Sequence, residues 1–212
     1  YISVTGVQTC ALPILVYDIT NPALPKQLAT VSAGGAYDAS FSAVHQNNYL
    51  FWGGSGSTFV YAATPISNPT VVGTLNLTAT AGAPYSVVPY GNYLYVATQS
   101  KGLTVINITD PTHMTQVFQE GGTTNKSFGV CMGQANTVYT TNYDTAGTHV
   151  VKYLKTWDIS TPSTPVLLYT FTFSANVKPG AVVFWNNYCF VTDVQNNTVI
   201  IVDVSTRTAP VQ

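Results

Sequence analysis

Two short motifs recur along the chain at a shared spacing, and this periodicity restricts the fold more than any other feature. The first runs small or polar residue, Ile or Val, Ser or Thr, a short polar residue, Pro. It occurs as Asp18-Ile-Thr-Asn-Pro22, Pro65-Ile-Ser-Asn-Pro69, Asn107-Ile-Thr-Asp-Pro111 and Asp158-Ile-Ser-Thr-Pro162, with a degenerate copy at Asp203-Val-Ser-Thr-Arg207. Successive copies end 47, 42, 51 and 45 residues apart. The second motif is Asn48-Tyr-Leu-Phe-Trp52, Asn92-Tyr-Leu-Tyr-Val96, Asn136-Thr-Val-Tyr-Thr140 and Asn187-Tyr-Cys-Phe-Val191, with steps of 44, 44 and 51. Two independent motifs in phase define a structural unit that repeats about every 45 residues.

The third unit shows what each repeat contains. Tyr85–Tyr90 reads as a strand, Gly91-Asn92 turns the chain, and Tyr93–Ala97 is the second strand. Gln99–Gly102 turns again, Leu103–Ile108 is the third strand, and Met114–Gln119 is the fourth. β-Branched and aromatic runs between Gly, Asn, Asp and Pro turns are strand and hairpin signals, and no useful window has the 3.6-residue period of a helix. Four short strands in a unit of about 40–50 residues is the arithmetic of a propeller blade. The expected fold class is therefore all-β, a β-propeller of four-stranded antiparallel blades.

Composition sets further bounds. Only 7% of the residues are charged and the formal charge is −1, so the chain carries no electrostatic footprint for nucleic acid or an anionic membrane surface. At 46% hydrophobic it can bury a core, and no apolar run reaches the roughly 18 residues of a membrane-spanning helix. Neither a nucleic-acid partner nor membrane insertion is expected of the visible chain.

The closing motifs resemble a known family. Leu15-Val-Tyr-Asp-Ile-Thr-Asn-Pro22, Leu103-Thr-Val-Ile-Asn-Ile-Thr-Asp-Pro111 and Val199-Ile-Ile-Val-Asp-Val-Ser205 are similar to the LVIVD repeat, a likeness that runs from Leu15 to Gln212. Pro65 where Asp is usual and Arg207 where Pro is usual depart from that pattern. The resemblance implies a prokaryotic propeller at or outside the cell surface, with no catalytic machinery common to the family.

Residues 4–14, Val4-Thr-Gly-Val-Gln-Thr-Cys-Ala-Leu-Pro-Ile14, fit no repeat and resemble a translated sequencing adapter. On that reading 1–14 is a non-native tail and Cys10 drops out. The competing reading is an edge strand through Ile2, Val4 and Val7. The remainder divides into partial units at 15–31 and 179–212 and complete blades at 36–77, 83–119 and 127–173. That makes four to five blades, read as an incomplete arc of a larger propeller. A compact four-bladed ring, with 15–31 completing the strands of 179–212, is the alternative.

Candidate site residues follow from position. Asp18, Asn107, Asp158 and Asp203 end the third strand of their units, where a short polar side chain caps a turn. The ligands of a propeller gather at the channel mouth, on loops entering the innermost strands and loops joining second to third strands. Asp38, Glu120, Asn125, Asp144, Asn176, Asp193 and Gln195 occupy such loops, and Asp38, Asp144 and Asp193 are the ligand-binding candidates. They form no nucleophile–base pair and no metal set, so no catalytic residue, metal or cofactor is assigned. The recurring aromatics Tyr49, Phe51, Trp52, Tyr93, Tyr95, Tyr139, Tyr188 and Phe190 read as packing between sheets. His45, His113 and His149 share no ligand spacing, and Gly53–Gly56 lacks the following helix of a phosphate loop. Cys131 and Cys189 read as buried free thiols.

These readings converge on a non-enzymatic, extracellular or cell-surface binding or scaffold module with a protein or polysaccharide partner. The rival is a propeller enzyme of lactonase or quinoprotein-dehydrogenase type with a metal in the channel.

Overall fold

The tight connections between first and second strands, two residues long in three blades and four in the blade of Asn136, explain why Asn punctuates the repeat. Asn47 and Asn48 take φ of 49° and 65°, Ala135 and Asn136 of 49° and 55°, and Asn186 and Asn187 of 48° and 70°. A tight hairpin turn of the primed type needs positive φ at both central residues, and Asn tolerates this better than other residues with a Cβ. The computed structural model that shows these turns describes residues 2–3, 14–31, 42–53, 59–77, 82–122, 124–145 and 150–212.

Five antiparallel sheets follow one another along the chain. The first holds β1 (Ile2–Ser3), β2 (Ile14–Asp18) and β3 (Lys26–Val31). The second holds β4 (Ala43–Gln46), β5 (Tyr49–Gly53), β6 (Phe59–Thr64) and β7 (Thr70–Asn76). The third holds β8 (Pro84–Tyr90), β9 (Tyr93–Thr98), β10 (Gly102–Asn107) and β11 (Thr115–Gln119). The fourth holds β12 (Asn125–Met132), β13 (Thr137–Asp144), β14 (Val151–Asp158) and β15 (Val166–Thr172). The last holds β16 (Pro179–Trp185), β17 (Tyr188–Asp193) and β18 (Thr198–Asp203), with a bridge from Asp203 to Val211 beginning a fourth strand. The strands expected in the third unit thus appear within a residue or two of their expected bounds.

Packing runs from sheet to sheet through the first strands, β4 against β8, β8 against β12 and β12 against β16. Second and third strands, covered on both faces by neighbouring sheets, are buried almost end to end, as in β13 and β10. β10 accordingly reads as a nearly continuous apolar run and not as alternation, whereas β13 buries the polar side chains Thr137, Thr140, Thr141 and Asn142 along with its apolar ones. Outer strands such as β7 and β15 are largely exposed. A bulge interrupts the pairing of third and fourth strands at equivalent places in four sheets, Val16/Tyr17, Ala62/Ala63, Val105/Ile106 and Thr156/Trp157. The result is an all-β arc of propeller blades, open and not closed into a ring.

Two features bear on the expected boundaries. Ile2 and Ser3 pair with Asp18 and Tyr17, and Ile14 pairs with Val31, so backbone ahead of Leu15 joins the first sheet. Val4–Pro13, most of the adapter-like stretch and Cys10 with it, lies outside the described residues, as do 32–41. Residues 15–31 form a sheet with β1 and do not hydrogen-bond to the strands of 179–212, so the four-bladed closure is not adopted.

Candidate functional site

The antiparallel register gives every blade two unlike ends. In the third sheet Tyr90, Tyr93, Asn107 and Thr115 lie at one end and Pro84, Thr98 and Gly102 at the other. The repeat motifs occupy the first end, and the loops between blades occupy the second.

At the motif end the four cap positions do similar work. The Asp18, Asn107, Asp158 and Asp203 Oδ1 atoms each accept the backbone N–H two residues on, at 2.8 Å in all four. These bonds hold the Asp18 and Asp158 carboxyls below the usual range, with the side chains of Thr20 and Ser160 as the largest causes. The backbone N–H of Ser205 does the same for Asp203. The apolar residue after Asn107, Asp158 and Asp203 is a buried plug, Ile108, Ile159 and Val204, as is Ile66 after Pro65, whereas Ile19 after Asp18 is half-buried. The N–H groups of Ile108, Ile159 and Val204 donate to the carbonyls of Asn92, Asn136 and Asn187, each at 2.8 Å. The two sequence motifs are therefore the two halves of one hydrogen-bonded corner. Where Pro65 replaces Asp, the Ile66 N–H turns to Asn48 Oδ1 at 3.4 Å. Where Arg207 replaces Pro, its guanidinium reaches the preceding blade, donating to Ala135 O and Thr137 Oγ1 at 3.0 and 3.1 Å.

At the loop end the candidates are mostly committed to holding the protein itself. Asp193, at the end of β17, is buried. Its Oδ1 accepts the backbone N–H of Lys178 at 2.9 Å, Gln195 at 3.1 Å and Asn196 at 3.4 Å, and its Oδ2 accepts Asn196 Nδ2 at 2.5 Å. These bonds, Lys178 first, keep its carboxyl below the ordinary value. Asn196 Nδ2 also donates to the Asn176 carbonyl at 2.9 Å, which ties the hairpin to the incoming loop. Asp144 stands half-buried at the end of β13, its backbone paired with Asn125 and Val151. Asp38 and His149 lie outside the described residues. His45 is exposed on β4 and His113 pairs with Asp110 on the opposite, motif end. Cys131 and Cys189 are free and buried in one apolar cluster between the last two blades. Among the described residues, no three His, Cys, Asp or Glu side chains gather around a point that could hold a metal.

Glu120 and Asn125 anchor a polar network that position alone does not reveal. Lys155 Nζ meets Glu120 Oε1 at 2.5 Å, with each side chain only 11% exposed. Asn125 Nδ2 donates to the same oxygen at 2.5 Å and the Leu103 N–H to Oε2 at 3.0 Å. Asn142 Nδ2 and Lys155 Nζ both donate to Asn125 Oδ1, at 3.1 and 3.3 Å. From Asn142 the chain continues through the Thr140 hydroxyl at 2.6 Å to the indole N–H of Trp157 at 3.1 Å. It binds the third blade to the fourth.

Next to this network lies an aromatic row unmarked by the repeat motifs. Tyr85 near the start of β8 and Phe128 on β12 approach with ring centroids 5.0 Å apart, and Phe128 lies 4.7 Å from Tyr143 on β13. Tyr85 and Phe128 are half-buried. Burial pushes the Tyr143 phenol up to about 12, with the Asp193 carboxylate adding to it. The one signal in the sequence is that Tyr85 and Phe128 sit one repeat apart on successive first strands.

Comparison with known proteins agrees with this geometry. The LVIVD repeat profile matches residues 81–119 and 181–212, segments that include the caps Asn107 and Asp203 and their plugs. The chain carries LVIVD repeats. Among curated proteins none matches it by sequence. Similar solved structures include a Lactobacillus plantarum protein (TM-score 0.67, 14% identity, covering 100% of this chain and 64% of that one). Another is a provisionally named 6-phosphogluconolactonase of Bacteroides fragilis (TM-score 0.68, 12% identity, 100% and 65% covered). A third is the computationally designed Ika8 protein (TM-score 0.65, 13% identity, 94% and 56% covered). The LVIVD chain thus spans 56 to 65% of the length of these structures. At such identities the likeness establishes the propeller fold alone.

Proposed function

We propose that this LVIVD arc is a non-enzymatic binding module displayed outside the cell, whose loop end receives a polysaccharide. The observation that carries the reading is the Tyr85–Phe128–Tyr143 row on adjacent blades, with two half-exposed rings. Aromatic faces offer apolar area with little entropy loss and suit the C–H faces of sugar rings. Around the row, the Asp193 and Glu120 carboxylates are engaged by four and three donor groups of the protein. Groups held this way orient loops, whereas a general acid or base needs a carboxyl free to exchange its proton with substrate.

A glycan array followed by calorimetric titration of the best hit tests the proposal. Phe128→Ala is expected to weaken binding about tenfold, the worth of one ring contact. The rival has one observation in its favour: two of the similar structures are provisionally named 6-phosphogluconolactonases. Hydrolysis of a sugar lactone that scales with protein concentration, with no polysaccharide bound, would replace the binding reading with that one.

A further inference from the structure

The near-neutral total charge conceals a separation along the blades. The motif end carries the carboxylates Asp18, Asp110, Asp158 and Asp203 against only Lys26 and Arg207. The loop end reverses the balance, with Lys101, Lys126, Lys152, Lys155 and Lys178 against Glu120, Asp144 and Asp193. The eighth acid of the chain, Asp38, lies outside the described residues. Two of the three loop-end carboxylates are already engaged, Glu120 by Lys155 and Asp193 by its four donors. The other four lysines keep their charge for solvent: Lys101, Lys126 and Lys152 are half-buried and Lys178 is exposed. Among the described residues no carboxylate forms a salt bridge with any of the four.

Register places two of these lysines on either side of the aromatic row. Lys126 on β12 and Lys152 on β14 both stand directly opposite Tyr143 on β13, so the three side chains share one face of the fourth blade. Two strand spacings separate the lysines, about 10 Å, and the Phe128 ring lies against Tyr143 between their strands. The loop entering the last blade brings a third cation to the same junction. Lys152 Nζ donates to the Ala175 carbonyl of that loop, a neutral partner that leaves its charge uncompensated. Lys178 follows three residues later, its N–H tied to Asp193.

We propose that the polysaccharide received at the loop end is an acidic one, with a sugar ring against Phe128 and its carboxylate or sulfate groups on the Lys126, Lys152 and Lys178 ammoniums. This inference rests on the polysaccharide reading above and narrows it to a class. An aromatic ring between two cations matches a chain that alternates apolar sugar faces with negative groups. The like-signed field of the lysines also steers such a chain toward the row.

Calorimetric titration of the full 212-residue chain with polygalacturonate, its methyl ester, dextran sulfate and dextran tests this. At least one acidic polymer is expected to bind at least about tenfold more tightly than its uncharged counterpart, and which one does so tells carboxylate from sulfate. Raising salt from about 50 mM to about 500 mM should weaken that binding at least about tenfold. Lys126→Gln should lose about fivefold in affinity for the acidic polymer, and Lys126→Gln with Lys152→Gln about 25-fold. Lys26→Gln, at the motif end, should bind like wild type, and circular dichroism confirms that each variant is folded. Equal affinity for the charged and uncharged forms overturns the acidic class while leaving the polysaccharide reading in place. Failure of all four polymers to bind also overturns it, and the glycan array then decides whether that reading survives. A single-stranded DNA that binds as tightly as the acidic polymers, or a Lys26→Gln loss equal to that of Lys126→Gln, overturns it as well, since the lysines would then attract any polyanion.

Discussion

Removing the Lys155 ammonium while keeping its bulk, as Lys155→Met, strips one partner from a pair buried between the third and fourth blades. Glu120 would keep the Asn125 amide and the Leu103 N–H as donors but lose its only counter-charge among the described residues. Breaking a fully buried ion pair in this one-sided way costs about 3–5 kcal/mol. Because each side chain retains 11% exposure, the lower end applies, about 3 kcal/mol. For a chain of this length that lowers Tm by about 6–12 °C. Glu120→Gln should cost a similar amount from the other side. The double variant should return to within about 1 kcal/mol of wild type, since neither partner is then left charged and alone. Urea denaturation with linear extrapolation measures all four corners of the cycle. A Lys155→Met cost below about 1 kcal/mol would show that water screens the pair. A double variant as damaged as the sum of the singles would refute the coupling itself.

Gly102 lies against the same carboxylate: at φ +70° its absent Cβ would sit 1.9 Å from Glu120 Oε2. Gly102→Ala should cost about 2–3 kcal/mol in the same assay, against about 1 kcal/mol for Gly91→Ala, where only the backbone conformation is strained. Asp158→Asn tests the acid response of the caps. Its depressed carboxyl stabilises the fold above the unfolded value of 3.8, and that contribution fades as pH falls through its lower folded value. Asn107 makes the same turn without titrating, so the variant should keep its stability at neutral pH and lose part of the decline below about pH 4 in a Tm-versus-pH series. The Cys189 thiol is raised, first by its hydrogen bond with Cys131 and then by burial. Neither thiol should react with a disulfide reagent in the native protein at pH 8, a value about half a unit below an ordinary cysteine's, and both should react once urea unfolds it.

What the sequence discloses follows the chemistry of turns. Asn48, Asn136 and Asn187 announce their corners because positive φ excludes most side chains, and Asp158 and Asp203 announce theirs because a cap needs a short acceptor. The Lys155–Glu120 pair is silent for the opposite reason. β14 is covered on both faces, so its pattern has no polar side against which a buried lysine would stand out, and its partner lies 35 residues away on another blade. Loop position brought Glu120 and Asn125 into view, yet it suggested a ligand where the structure shows a tie between blades. Tyr85 and Phe128 look like ordinary strand residues until two blades set them side by side.

The two ends of the blades differ in what they can vary. At the motif end the corner atoms are committed: Asn136 alone holds a left-handed backbone, receives the Ile159 N–H and accepts the Tyr90 hydroxyl at 3.0 Å. A change there alters how firmly the blades are built. At the other end the connections between successive sheets run to eleven, seven, five and six residues, so length and side chains differ from blade to blade, and recognition has room to reside. The expected outcome is a double dissociation. Asn136→Ala should cost about 1–2 kcal/mol of stability through backbone strain and a lost hydrogen bond, with polysaccharide affinity unchanged. Phe128→Ala should lose about tenfold in affinity by removing the ring contact, and its stability cost should be smaller than that of burying nothing in a closed core, because its ring already meets solvent. Equal loss of binding in both variants, measured by the same titration, would mean that the repeat corner and not the loop end carries the ligand.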